Sequence, residues 1–342
     1  MGQTSQSGQL IFATQSAFGV PVTPSNLGTK GLAVRVRSGT LAGNRDLLVT
    51  DPEIGAGRDR ANAYLGSVAF AGDIEMYVRF RAAAFFLANA LGTKSSVAVT
   101  ASTGAHTHTI TPADGQVPYM TVYEQIGASL ERFITTDVVV NTLNFEADAN
   151  GYLSMTAGLI GIKATPGAAA IDATSLLDNT SLAVGQNITA KYADTKLPAK
   201  SFSLSINNNF EDDNHYLGGA YLGDLTAKGR EISASVNMRH TDAKAMRQSM
   251  FGTPTATEAL GVPTKDKFEV MIESPEVISG VTGTPIKYSL KFEIPKAVYE
   301  PFSFAPSGDD AFENDVTLQA IRPDGAVPIM TATVVNGNAA IE

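Results

Sequence analysis

The chain of 342 residues contains no cysteine and no tryptophan, only four histidines, and charged side chains at just 17% of positions. Without cysteine there are no disulfides, no thiolate metal sites and no thiol nucleophile, so stability must come from packing and assembly. Without tryptophan a carbohydrate-binding platform loses its usual aromatic surface. No apolar run approaches the ~20 residues of a membrane-spanning helix, and residues 1–14 lack a basic segment followed by an apolar one, so the chain is read as neither membrane-spanning nor secreted. There is no G-x-S-x-G elbow, H-E-x-x-H pair or phosphate-binding P-loop. A nucleophile–base pair therefore has few candidates, and the chain is read as a non-enzyme without cofactor or metal.

The formal charge of −9 and a pI near 5.0 count against a protein that grips phosphates, since nucleic-acid affinity is drawn largely from Lys and Arg. Apolar residues at 44%, with abundant Gly, Ser, Thr, Ala, Val and Asn, favour many short strands and turns over long charged helices. The length suits two domains, each with its own core.

An internal repeat emerges on comparing the two halves. Leu32, Val34 and Val36 alternate with Arg35 and Arg37, and Phe202, Leu204 and Ile206 alternate with Ser203 and Ser205. Gly66 and Gly72 have the same spacing as Gly223 and Gly229, and read as glycines of hairpin turns that need positive φ. Strands with inward sets Ile74, Met76, Val78 and Ile232, Ala234, Val236 follow. A short helix comes next in each half: residues 82–91, apolar all round and ended by Gly92, and a second with Asp242 as N-cap, Ala243, Met246 and Met250 on one face, and Gly252 as terminator. Further strands follow at 119–123 and 268–272. Leu143 and Phe145 answer to Phe302 and Phe304, while Leu153, Met155 and Ala157 answer to Val316, Leu318 and Ala320. The expected organisation is an N-terminal arm at 1–30, a first domain at 31–163, a connector at 164–197, a second domain at 198–335 and a tail at 336–342. The connector is long for a plain loop and is expected to be partly ordered or to hold a strand. Residues 93–118 are an insertion in the first half only.

Four stretches, KSFSLSINNNFEDD at 200–213, the glycine-strand-helix unit at 66–92, HTHTITPADGQVPYMTVYEQIG at 106–127 and NTLNFEADANGYLSMTAGLIG at 141–161, resemble the tail tube protein family of long-tailed, siphovirus-type phages. The resemblance implies a mainly β chain of two tandem β-sandwich or barrel domains, each flanked by one short α-helix. It also implies a virion subunit, made in the host cytoplasm, whose rings stack into a tube. With two such domains per chain, three chains would close a pseudo-sixfold ring through a head-to-tail interface, with inner strand edges paired into one barrel. Expected partners are further copies of itself, the tape measure protein, and the tail tip and terminator proteins. Genomic DNA would pass through without specific binding, helped by an acidic, repelling lumen. A tube or ring subunit of a contractile or type VI secretion-like system is the alternative, followed by a β-sandwich ligand-binding module.

His106 and His108 fall on one face of a strand, with Asp114 the nearest further ligand; a structural zinc wants four, so an exposed Thr/His hairpin touching the next ring is the reading. Asp212, Asp213 and His215, and Asp309, Asp310, Asn314 and Asp315, lack the alternation and terminal Glu of a calcium loop and read as solvated turns. GAGRDR at 55–60 does not open a helix as a phosphate cradle would. Arg58, Asp59 and Arg60 are instead candidates for ring-to-ring ion pairs.

Overall fold

A computed structural model describes residues 8–55, 57–100, 102–127, 130–167, 169–304 and 311–341. The chain is mainly β. The first half comprises β1 (Gln9–Thr14), the single-turn α1 (Leu27–Lys30), β2 (Gly31–Val34), β3 (Ala42–Val49), β4 (Ala63–Tyr77), α2 (Phe80–Leu91), β5 (Gly92–Ala98), β6 (Ser102–Thr103), β7 (His106–Pro112), β8 (Met120–Ile126), β9 (Glu131–Asp148), β10 (Ser154–Gly161) and β11 (Lys163–Pro166). The second comprises β12 (Ile188–Tyr192), β13 (Thr195–Lys196), β14 (Ala199–Asn207), β15 (Glu231–Arg239), α3 (Lys244–Phe251), β16 (Asp266–Val277), β17 (Thr282–Gly283), β18 (Lys287–Tyr299), β19 (Glu313–Ala320) and β20 (Thr331–Asn336).

Antiparallel pairing in the first half runs in the order β2, β1, β8, β9, β10, β4, β3. In the second half it runs β13, β12, β16, β18, β19, β15, β14. Position by position, each strand of the second order has the same rank along its half as its counterpart in the first. α2 lies between β4 and β8, and α3 between the counterparts β15 and β16. β11 pairs with β9 as β20 pairs with β18.

This order places the expected segments. Of the N-terminal arm, residues 9–14 form β1, held between β2 and β8 with Phe12 fully buried, so an apolar LIFA run acts as a core strand; residues 1–7 lie outside the described ones. The connector holds β12 and β13, the counterparts of β1 and β2, so the repeating order in the second half starts within it. Residues after β20 fold back, and the Ile341 carbonyl accepts from Lys94 Nζ at 3.1 Å.

Three expectations need correction. The strand of Phe202, Leu204 and Ile206, matched in the sequence to that of Leu32, Val34 and Val36, is β14, which the pairing order makes the counterpart of β3, while the counterpart of β2 is β13. Gly66 and Gly72 lie inside β4 rather than at a turn, and neither they nor Gly223 and Gly229 have positive φ. Gly72 is required for a close approach, since a Cβ there would stand 1.9 Å from the Thr40 carbonyl oxygen. Along β9 and β18 the correspondence is also different. Phe145 stands opposite Met155, and Tyr299 stands opposite Leu318, the counterpart of Met155, so Ala297 and Tyr299 take the places expected of Phe302 and Phe304. Those two phenylalanines pack around His240, with ring centroids 5.4 and 4.8 Å away.

The halves are not separate beads. β14 pairs with the C-terminal part of β9, from Ser201 opposite Asp148 to Asn207 opposite Thr142. The insertion hairpin β5–β7 pairs with β20, and β6 with β17. Between these seams a single apolar cluster runs through both halves, with Phe145 on Phe292 (5.0 Å) and Phe80 stacked on Tyr288 (5.6 Å). α2 is buried along almost its whole length, as its all-apolar sequence requires, and Gly92 caps it at φ 101°.

A candidate functional surface

Through the β9–β14 pairing the strands β3, β4, β10, β9, β14, β15 and β19 form one continuous sheet that crosses the seam. Alternation along each strand gives this sheet two faces of opposite character. Toward the core point Ile74 and Met76, Met155 and Ala157, Leu143 and Phe145, Phe202, Leu204 and Ile206, Ile232, Ala234 and Val236, and Val316 and Leu318, all buried. The intervening residues face away: Glu75 and Tyr77, Ser154 and Thr156, Asn144 and Glu146, Ser201, Ser203 and Ser205, Ser233, Ser235 and Asn237, and Asp315, Thr317 and Gln319. The outer face is thus paved with hydroxyls, amides and carboxylates. It is hollowed by a depression of about 650 Å³ lined from both halves, by Tyr77, Glu146, Tyr152 and Ser154 on one side and Ser203, Ser235, Asn237 and Asp315 on the other.

The charges on this face are lopsided. Arg37 is tied to Glu75 at 2.5 Å and lies over the Tyr77 ring, and Lys200 is tied to Glu313. Glu146 and Asp148 form no ion pair among the described residues. Among the described residues the Asp315 carboxylate accepts from the neutral Asn237 amide alone, at 2.9 Å. A polyanion approaching here meets carboxylates whose charge is not cancelled and basic groups that are already engaged.

The seam beneath is fastened by asparagines. Asn141 is the extra residue of a bulge in β9; its carbonyl accepts from the Asn208 backbone N–H and its side-chain oxygen from the Phe210 N–H, both at 2.8 Å. The Asn208 side chain donates to the Ala90 carbonyl at the end of α2 and to the Val140 carbonyl, each at 2.9 Å, and accepts from Arg230 Nε at 2.9 Å. The NNNF run was singled out in the sequence, but amide clasps leave no periodic signal and their role is visible only in three dimensions.

The residues expected at ring-to-ring contacts fall in two places. Arg58, Asp59 and Arg60 are exposed in the loop between β3 and β4, with Arg60 3.7 Å from Asp51. That hairpin also exposes Leu47, Leu48, Ile54, Tyr64 and Leu65. His108 is different: it is fully buried, with Nδ1 2.8 Å from Ser96 Oγ and Nε2 2.9 Å from Asn336 Oδ1. The expected exposed Thr/His hairpin is therefore corrected for His108, because β7 lies between β5 and β20 with α2 packed against it, and the ring is bonded to Ser96 and Asn336. His106 is half-buried on the same strand, and Asp114 pairs with Arg322 at 3.3 Å rather than with either histidine. Asp212, Asp213 and His215 lie exposed in the loop after β14; of the second acidic turn, Asp309 and Asp310 lie outside the described residues. Among the described residues no three His, Asp or Glu side chains converge as metal ligands.

Burial shifts several groups in the core, while exposed carboxyls such as Asp194 and Asp324 are held below the usual range by hydrogen bonds from Lys267 and Lys296. Burial pushes the Tyr192 phenol up to about 12, and Tyr299, with its ring 4.4 Å away, is also raised by burial. Glu124, beneath β1, is raised by burial and partly brought back by hydrogen bonds from Thr40 and the Leu41 backbone. Tyr192, Tyr299 and Glu124 are all buried.

A family model described as phage tail tube protein matches residues 5–320. No curated protein matches the chain.

Proposed function

The chain belongs to the phage tail tube protein family and so to the structural components of a phage tail; from that premise we propose that three copies close a pseudo-sixfold ring, that rings stack into a hollow tube, and that the polar face of the continuous sheet lines the channel through which DNA passes. The observation that carries this reading is the repeated strand order: two halves of like topology, joined in one sheet, supply two of the six wall segments of an annulus. Head-to-tail addition closes it when the rotation per half is one sixth of a turn. The sheet edges at β3 and at the end of β18 would then be covered by neighbours, which removes unpaired backbone groups that otherwise promote aggregation.

A conduit must not hold its cargo. A wall that neutralised ~6–10 phosphates per segment would grip DNA in a salt-dependent manner. The Ser/Thr/Asn paving with carboxylates at Glu146, Asp148 and Asp315 avoids this and repels the backbone. The hairpin bearing Arg58, Asp59 and Arg60 is assigned to contact between rings. In this reading the tape measure protein fills the lumen during assembly, the tip and terminator proteins close the ends, and subunits gather in the host cytoplasm. Negative-stain imaging of the concentrated purified protein tests it: hollow tubes or threefold rings are expected, and a particle that stays monomeric under tail-like conditions overturns it.

A further inference from the structure

At the seam inside the chain, α2 is enclosed. Its own half supplies β9 and the insertion strands β5 and β7, and the second half supplies β18 and β20, with Phe80 stacked on Tyr288. α3 holds the same place in the second half, and among the described residues no third repeat lies over it. Its inner side is satisfied: Gln248 donates to the Tyr192 hydroxyl at 2.9 Å, and Ser249 Oγ accepts from the Phe302 N–H at 3.3 Å. Its other side is open, with Met250 50% and Phe251 37% exposed.

The segment after Gly252 folds back on the helix end, where the Leu260 N–H donates to the Phe251 carbonyl at 3.1 Å and the Thr264 N–H to the Gly252 carbonyl at 2.8 Å. This brings Leu260, 52% exposed, and Val262, 71% exposed, to the same apolar patch. The nearby strand shows the same incompleteness. Beyond β8 the C-terminal part of β9 is flanked by β10 and β14, whereas beyond Ala297 the described part of β18 pairs with β19 alone.

We propose that the patch formed by Met250, Phe251, Leu260 and Val262 is a docking surface for the first half of a second copy of this chain, which covers α3 as the chain's own second half covers α2. The inference rests on the ring assembly proposed above and adds to it which surface closes the ring. An apolar patch next to an open strand end fits a permanent partner of like fold better than solvent.

The absence of cysteine gives a clean test. Met250→Cys and Val262→Cys are labelled with a maleimide as monomers, as single rings and as tubes, with each assembly state checked by microscopy. The expected result is ready labelling of monomers and labelling slower by about tenfold or more in rings and tubes alike, since thiol reaction needs access. A Phe251→Asp variant should keep the monomer's circular dichroism and melting temperature yet form no rings. Thiols that react in tubes as they do in monomers, protection that appears only when rings stack, or normal assembly by Phe251→Asp would overturn the inference while leaving the tube reading in place. Failure of the unaltered chain to form any ring or tube would overturn both.

Discussion

Replacing Asn208 by Ala should loosen the seam between the halves. The side chain is only 2% exposed and makes three hydrogen bonds, donating to the Ala90 and Val140 carbonyls and accepting from Arg230 Nε. Ala leaves these groups without that partner where water has little access, and at 1–3 kcal/mol for each buried group, partly offset by Arg230's other bond to the Ala113 carbonyl, the loss is about 3–5 kcal/mol. For a chain of this size that is a fall in Tm of about 4–7 °C, read by calorimetry or by circular dichroism of the monomer. Asn208→Asp should be worse, because it keeps the acceptor for Arg230 but sets a carboxylate against two carbonyl oxygens. A Tm drop under about 2 °C for the Ala variant, or an Asp variant milder than Ala, would refute the clasp reasoning.

Three other outcomes follow from the same structure. Gly72→Ala should cost more than about 3 kcal/mol, because its Cβ would collide with the Thr40 carbonyl, whereas Gly66→Ala, whose nearest neighbour would be 3.4 Å away, should melt close to the parent; equal effects would contradict the close-approach argument. Because burial raises the Glu124 pKa, its carboxyl favours folding when protonated, and that stability is lost as pH rises through the folded pKa; Glu124→Gln should therefore gain Tm relative to the parent at pH 7, with the gain shrinking toward about pH 4, and a gain that grows in acid would contradict the sign. Glu146→Lys with Asp148→Lys should give tubes that retain DNA at about 50 mM salt and release it at about 200 mM, in a filter or mobility assay where the parent retains none; retention by the parent would contradict the repelling wall.

Much of the repeat could be read directly from alternation. The inward sets Ile74, Met76 and Val78, Phe202, Leu204 and Ile206, and Ile232, Ala234 and Val236 are buried as their period of two requires, and both helices end at the glycines expected. The second starts at Lys244 rather than at Ala243, with Asp242 Oδ1 accepting from the Lys244 N–H at 3.0 Å. Alternation tells which face a residue takes but not which strand lies beside it. For that reason Phe302 and Phe304 were matched to the wrong neighbours, and a glycine needed for close approach looked like a turn. His108 finds its partner Asn336 on β20, more than 200 residues downstream, and no local pattern announces such a contact. The polar face was partly legible, since Ser201, Ser203 and Ser205 alternate openly. Its continuity across both halves depends on the β9–β14 pairing, which only the structure supplies.

The most direct test is a cryo-EM reconstruction of the assembled particle. It should resolve three chains per ring, with β14 and β15 in the channel wall and Ser203, Ser235 and Glu146 pointing at the axis. Rings of six chains, or a wall that turns Phe202 and Leu204 toward the channel, would contradict the account.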